Sequence, residues 1–117
     1  MKADLRALAR VAVDALDDKR ARDIAVLDLS GVSDTLDAFV IATGTSSVQI
    51  RALEESVLDR MRAAGLRPLS REGGSPRWSL LDFGAVVVHI MSPEAREFYD
   101  LEGLWADADR VDLATAN

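Results

Sequence analysis

The only histidine of the chain, His89, is the side chain best suited to acid–base chemistry near neutral pH. It lies in the apolar run 86–91, and no acidic residue or second histidine is close to it in the sequence. A catalytic base needs a neighbour that orients it, and this run offers none. The pattern therefore predicts a packed or edge-facing structural histidine, with an isolated acid–base group as the alternative.

The sequence contains only weak signals for a metal site or a phosphate site. The chain has no cysteine, which excludes disulfides, thiolate ligands and cysteine nucleophiles, and one histidine leaves no histidine pair. The segment 43–49 joins an expected strand to an expected helix, a geometry that binds phosphate in some proteins. It lacks the glycine patterns of phosphate-binding loops, so we interpret Ser46 and Gln49 as a helix cap and expect no cofactor.

Hydrophobic periodicity predicts the elements that must position these residues. An N-terminal helix of about four turns has its apolar face at helical spacing, on Leu5, Leu8, Ala9, Ala12 and Leu16. A second helix over 46–64 has one apolar stripe, on Ile50, Leu53, Val57, Met61 and Ala64. Gly65 is a natural stop for it, and Ser92 with Pro93 matches the start of a short third helix.

Five short segments predict extended strands, at 24–29, 38–43, 66–71, 78–83 and 85–91. A polar loop at 72–76 follows the third, and Gly84 joins the last two as an antiparallel hairpin. The helix over 46–64 permits a parallel crossover, and the valine-rich run 85–91 suits the middle of a sheet. The fold class is therefore a single α/β domain with a mixed five-stranded sheet. Beyond Trp105 we expect a frayed tail.

Charge narrows the class of partner. Fourteen Lys and Arg stand against 20 Asp and Glu, a net charge of −6, which disfavours binding to nucleic acid through phosphate contacts. A basic protein surface would be attracted instead, although solubility alone also explains an acidic balance. The start of the chain lacks an apolar signal core, and no stretch reaches ~18 apolar residues. We expect a cytoplasmic location.

Aromatic and acidic residues concentrate towards the C-terminal end. Five of the six aromatic residues fall between positions 78 and 105; they are Trp78, Phe83, Phe98, Tyr99 and Trp105. From Pro93 onward, seven acidic residues stand against two arginines. Aromatic anchors in an acidic surround are typical of a surface that docks on a basic protein. A core filled by these rings, beneath a solvated acidic face, is the other open interpretation.

Taken together, these motifs resemble those of the ribosomal silencing factor, or Iojap, family. The matching stretches are D-I-A-V-L-D-L at 23–29, D-A-F-V-I-A-T-G-T-S at 37–46 with Gln49, W-S-L-L-D-F-G at 78–84 continuing through His89 and Ile90, and R-E-F-Y-D-L-E with L-W at 96–105. The resemblance runs from about residue 5 to 108. It therefore divides the chain into a family-like domain at 1–108 and a polar tail at 109–117.

The resemblance implies a nucleotidyltransferase-like fold and a function that is not catalytic. Members bind the large ribosomal subunit through its protein fourteen, block joining of the small subunit and repress translation when nutrients are limiting. They tend to form homodimers, and neither a cofactor, a metal nor much direct contact with nucleic acid is implied. The positions that match the docking motifs are Trp78, Leu80, Leu81, Asp82, Arg96, Tyr99, Asp100 and Glu102.

Two other classes of function stay open at this stage. A nucleotidyltransferase would need a Gly-Ser turn followed by paired carboxylates that hold magnesium. Gly44 to Ser46 only partly matches such a turn, no close carboxylate pair follows it, and Asp82 would act alone. The third possibility is a dimeric adaptor whose main partner is not the ribosome.

Overall fold

The structure is a computed structural model that describes residues 1–113. In chain order the elements are α1 (Ala3–Asp18), β1 (Arg22–Asp28), β2 (Ala38–Thr43), α2 (Ser47–Ala63), β3 (Ser70–Ser75), β4 (Trp78–Asp82), β5 (Val86–Met91), α3 (Pro93–Tyr99), α4 (Leu101–Leu104) and β6 (Asp109–Arg110).

The six strands form one mixed sheet in the order β3-β4-β5-β2-β1-β6. The central strands β2 and β5 run parallel, with Val40 opposite Val88, and every other neighbouring pair is antiparallel. All residues of β2 and β5 are buried, because both faces of the sheet centre are covered. The predicted parallel crossover, the hairpin at Gly84 and the central position of 85–91 are therefore confirmed.

The sheet separates two apolar cores. On one face, alternate strand residues such as Val40 and Val88 pack with buried side chains of α1 and α2. On the other face, Phe39, Ile41 and Met91 pack beneath α3, α4 and the residues that follow. This alternation places neighbouring strand residues in different cores. The second face is covered only by short elements, so its margins reach solvent.

Serine caps begin two helices where the sequence predicts them. The Ser46 hydroxyl accepts a hydrogen bond from the Gln49 N–H at 3.0 Å, and the Ser92 hydroxyl accepts one from the Ala95 N–H at 3.1 Å. Gly65, which follows α2, has φ +88°, a conformation that glycine adopts without strain. The third capping feature is Pro93 in the first turn of α3.

The sheet has six strands rather than the expected five. The sixth, β6, pairs with β1 through Arg110 opposite Leu27, and Leu113 is only 6% exposed in the core beside α1. The expected frayed tail is therefore wrong as far as residue 113, because pairing with a distant strand orders a segment with little periodicity of its own. Residues 114–117 of that expected tail lie outside the described residues.

The third strand also differs from its prediction. Strand β3 begins at Ser70 and runs to Ser75, so most of the expected polar loop at 72–76 lies within a strand, in which Glu72 and Ser75 pair with β4. The pairing is irregular between Glu72 and Ser75. The polar, glycine-rich composition of this segment predicts a loop. Backbone hydrogen bonding to β4 nevertheless makes the segment an edge strand.

Candidate protein-binding surface

Three aromatic rings form a continuous cluster at the margin of the second sheet face. The ring centroids of Trp78 and Tyr99 are 4.6 Å apart at an interplanar angle of 49°, and those of Phe98 and Tyr99 are 5.0 Å apart at 86°. Phe98 is 79% exposed and Tyr99 is 51% exposed. We call Trp78, Phe98 and Tyr99 the aromatic patch. Exposed, contiguous apolar rings of this kind are typical of a binding surface.

The patch is continuous with the core through His89. The Trp78 indole N–H donates a hydrogen bond of 3.2 Å to His89 Nδ1. The His89 ring meets Phe39 edge-on with centroids 4.5 Å apart, and Phe39 in turn meets Trp105 at 6.1 Å. The exposed rings therefore rest on a chain of buried ones, which limits their freedom to rearrange.

His89 is packed, as the sequence predicts. It is 4% exposed, and burial lowers its pKa to about 4, so the imidazole is neutral at pH 7. Because Nδ1 accepts from Trp78, the ring proton lies on Nε2, which is buried and has no hydrogen-bond partner among the described residues. The interpretation of His89 as a structural side chain is confirmed.

Arg96 joins the helices that carry the patch to the sheet. Its guanidinium donates to both carboxylate oxygens of Glu102, at 2.9 and 3.2 Å. Its third nitrogen donates to the Thr43 hydroxyl at 2.9 Å and to the backbone oxygen of Asp23. One side chain of α3 thus holds α4 and the ends of β1 and β2. The hydrogen bonds from Arg96 also hold the pKa of the Glu102 carboxyl below its usual value.

A sharp turn at Asp100 sets the angle between the two short helices. Asp100 adopts φ 44° and ψ 58°, ends α3 and begins α4. Its carboxylate accepts a hydrogen bond from the Gly103 N–H at 3.0 Å. A Cβ at position 103 would lie 2.0 Å from Asp100 Oδ2, so only glycine admits this cap unchanged.

The structure brings together only part of the expected docking set. Trp78, Leu80 and Asp82 alternate along β4 and therefore share one face of it with the aromatic patch. Leu81 is a correction, because it is fully buried against the core under α1 and α2 and offers a partner nothing. Its burial supports the strand that carries Trp78.

The charged members of the set are largely occupied within the chain. Asp82 Oδ1 accepts from the Gly84 N–H at 2.8 Å in the hairpin turn. Arg96 and Glu102 pair with each other, and their side chains are 13% and 25% exposed. Asp100 caps α4. These four residues shape the surface, whereas Trp78, Tyr99 and the half-buried Leu80 remain able to touch a partner.

Two exposed apolar residues were not among the expected docking positions, although Phe98 was one of the aromatic residues noted in the sequence. Phe98 belongs to the aromatic patch, and Leu104 on α4 is 72% exposed. Phe98 follows the buried Ala95 by three positions, a helical spacing that predicts burial. Both residues lie inside the F-Y-x-L-E-x-L-W motif at 98–105, so membership of that motif was the sequence signal that could have placed them at the binding surface.

Acidic side chains lie on the same short helices as Phe98 and Tyr99. Glu94, Glu97 and Asp100 are exposed on or beside α3. The two arginines of the segment that starts at Pro93 both pair with Glu102. The segment from Pro93 onward contains seven carboxylates and only two arginines, and both arginines pair with the same carboxylate. It therefore carries most of the net negative charge of the chain. A basic partner would be attracted to this side of the molecule.

The strand–helix turn at 43–49 is occupied by its own cap. Gln49 Oε1 accepts from the Thr45 N–H at 2.7 Å, while its amide nitrogen donates to the backbone oxygen of Arg20 at 3.1 Å. A Cβ at Gly44 would lie 2.7 Å from Ile50, so the turn packs directly onto α2. The interpretation of this segment as a helix cap is confirmed. Within residues 1–113 no acidic, histidine or cysteine side chains cluster so as to hold a metal ion.

None of the helices within the described part of the chain has the length and apolar character needed to cross a membrane. The fold and the aromatic patch define a small α/β protein that carries exposed, contiguous aromatic rings at the margin of its sheet.

Comparison with known proteins identifies the family. The family model described as ribosomal silencing factor during starvation matches residues 2–117, including the segment that the motifs left outside the resemblance. The ribosomal silencing factor of Bacillus subtilis is 39% identical over 92% of both chains. The chloroplastic Iojap protein of Zea mays is 35% identical over 80% of this chain and 41% of its own length. A crystal structure from Chromobacterium violaceum covers 99% of this chain and 95% of its own, at 35% identity and a TM-score of 0.84.

The chain belongs to the ribosomal silencing factor family. The solved structure of this family confirms the single α/β domain with a mixed sheet. The family is named for a regulator of ribosomes and not for an enzymatic activity.

Proposed function

We propose that this protein represses translation by binding the large ribosomal subunit through its protein fourteen and blocking the joining of the small subunit when nutrients are limiting. The observation that supports this proposal most strongly is the aromatic patch, with Phe98 79% exposed beside acidic side chains. The family description, which names silencing during starvation, points the same way. We further propose that this action on ribosomes takes place in the cytoplasm.

The charge of the surface favours a protein partner over ribosomal RNA. Carboxylates around the patch repel RNA phosphates, whereas they attract a basic ribosomal protein that lies among those phosphates. The attraction speeds association, and repulsion by the surrounding RNA would orient the molecule with the patch towards the protein. The rings then supply most of the affinity, because aromatic anchors bury large areas with few rotatable bonds.

The size of the molecule is sufficient for a steric block. Its principal extents are 33 × 32 × 26 Å. Two ribosomal subunits that join bring their facing surfaces into contact, so a folded body of this thickness on the joining face holds them apart. Repression in this mechanism requires occupancy alone and no chemical step.

A subunit-joining assay with purified particles tests the proposal. Titrating the protein into a mixture of both subunits is expected to lower the fraction of joined ribosomes in a saturable way. Tyr99→Ala is expected to shift the titration to higher concentration, whereas Val48→Ala is the control, because Val48 is 78% exposed on α2, which packs on the opposite face of the sheet. Full joining at saturating protein, or equal effects of the two variants, would contradict the proposal.

The exposed apolar character of the same surface favours self-association. Free protein would leave Phe98 and Leu104 in water, and a second copy could cover them. We therefore propose a homodimer in the absence of ribosomes. If dimer and ribosome contacts overlap, sedimentation of the Phe98→Ala variant will show fewer dimers together with weaker binding to large subunits. Neither the enzyme nor an adaptor without a ribosomal partner gains a specific observation in its favour.

A further inference from the structure

We infer that His89 is a positioning residue for the binding surface: its Nδ1 atom accepts the indole hydrogen bond of Trp78 and fixes the ring orientation on which the aromatic patch is built. The inference rests on the proposed function, since it concerns the same surface. It assigns to a buried side chain a role in binding that the side chain cannot perform by direct contact.

The strand register makes the hydrogen bond possible. In the antiparallel pair of β4 and β5, Leu80 lies opposite His89 and Trp78 lies opposite Met91. Trp78 and His89 are therefore diagonal neighbours on one face, with ring centroids 5.9 Å apart and planes inclined by 45°. The indole N–H reaches His89 Nδ1 at 3.2 Å, so the bond joins the patch to the central strand of the sheet.

Packing alone does not account for a histidine at this position. The side chain is 4% exposed, and its Nε2 atom has no hydrogen-bond partner among the described residues. An unpaired buried donor destabilises the fold, whereas leucine or phenylalanine would fill the space without that cost. The acceptor at Nδ1 is the one property of His89 that the structure uses and that these apolar residues lack.

Burial preserves that acceptor. Aromatic and apolar groups enclose the imidazole, with Phe39 edge-on at 4.5 Å and Leu80 opposite in the register. This environment lowers the pKa of His89 to about 4. The neutral ring therefore keeps a lone pair on Nδ1 at physiological pH, whereas a protonated imidazole would have none.

Orientation of Trp78 matters because Tyr99 packs on it. The indole ring is half-buried and contacts Tyr99 with centroids 4.6 Å apart. Without a bond at its nitrogen, the ring gains alternative rotamers, and the Tyr99 ring loses a fixed support. A partner would then have to order both rings on binding, which weakens affinity even though no contact atom has been removed.

Two variants separate positioning from packing. His89→Leu fills similar space and removes the unpaired Nε2 donor, but it leaves the Trp78 indole N–H without its acceptor, so the melting temperature is expected to stay nearly unchanged. Its affinity for purified large subunits is nevertheless expected to fall about fivefold, the factor that one ordinary hydrogen bond supplies. His89→Asn places an amide oxygen near the Nδ1 position and is expected to recover most of the affinity despite lower stability.

The indole N–H resonances provide a signature that a purely structural role would not move. The chain has two tryptophans, so Trp105 serves as an internal reference and Trp78→Phe assigns the peaks. In His89→Leu the Trp78 resonance is expected to shift upfield, as for a lost hydrogen bond, while the Trp105 resonance stays in place. In His89→Asn the Trp78 resonance is expected to remain near its original position.

A double variant completes the test. If His89 acts only through Trp78, the Trp78→Phe/His89→Leu protein binds large subunits as Trp78→Phe does alone. Unchanged affinity of His89→Leu beside a weakened Trp78→Ala, or additive losses in the double variant, would overturn the inference. If Trp78→Ala itself binds normally, the docking surface is refuted, and an unshifted Trp78 resonance in His89→Leu would overturn the positioning role separately.

Discussion

Replacing Phe98 with alanine should separate the binding of ribosomes from the stability of the fold. The residue is 79% exposed in the free protein and contacts the Tyr99 ring. An aromatic side chain presents about 200 Å² of surface, so about 150 Å² of Phe98 remains available to a partner. The fold itself gains little from this side chain.

The magnitude follows from these areas. At about 25 cal/mol per Å², burial of the exposed part contributes at most about 4 kcal/mol to binding, and the cost of ordering the interface reduces this to about 2 kcal/mol. The already buried fifth of Phe98 supports at most about 1 kcal/mol of folding stability. We therefore expect Phe98→Ala to weaken affinity about 30-fold, with a nearly unchanged free energy of unfolding.

The assay is equilibrium binding of labelled protein to purified large subunits, together with urea unfolding of the free protein. Val48→Ala, at a comparably exposed position on α2, is the control. Affinity within threefold of the unaltered protein for Phe98→Ala would refute the assignment of the patch as the binding surface. A large loss of stability would refute the argument from exposure.

The other predictions test different parts of the structure. Trp78→Ala and Tyr99→Ala are each expected to weaken binding to large subunits by about 2 kcal/mol with the fold retained, as circular dichroism would show; undiminished co-sedimentation would contradict this. Arg96→Ala leaves Glu102 with Arg110 as its remaining ion-pair partner and removes the donor to the Asp23 backbone oxygen, so we expect a loss of about 2 kcal/mol in urea unfolding as well as weaker binding; unchanged stability would show that Arg96 does not hold the helices. The pKa of His89 is lowered to about 4 in the folded protein. Between about pH 6.5 and 4 the imidazole is therefore protonated in the unfolded chain and neutral in the folded chain. Stability is expected to fall by up to about 3 kcal/mol between pH 6.5 and 4, and the His89→Leu variant should lack that part of the slope.

Local chemistry predicted much of the fold. The caps at Ser46 and Ser92 depend on residues within one turn, and the apolar strands β2 and β5 are buried on both faces. Short-range patterns of this kind are sufficient to predict an element when the residues that determine it are also the residues that form it. The same patterns did not predict β6, because this segment is a strand only through its pairing with β1, more than 80 residues earlier in the chain.

The candidate site shows the same division. The motif W-S-L-L-D predicted a binding strand, and alternation along it could have excluded Leu81, since Trp78 and Leu80 share the other face. Arg96 was expected to touch the partner, but its own partners Thr43 and Asp23 are distant in sequence and are brought near only by the fold. The hydrogen bond between Trp78 and His89 likewise depends on the strand register, which composition does not specify.

The central claim, that occupancy by this protein excludes the small subunit, is tested most directly by following where bound protein sediments. Labelled protein is mixed with both purified subunits under joining conditions and separated on a density gradient. We predict label on free large subunits and none on joined ribosomes. Stoichiometric label on joined ribosomes would contradict the account.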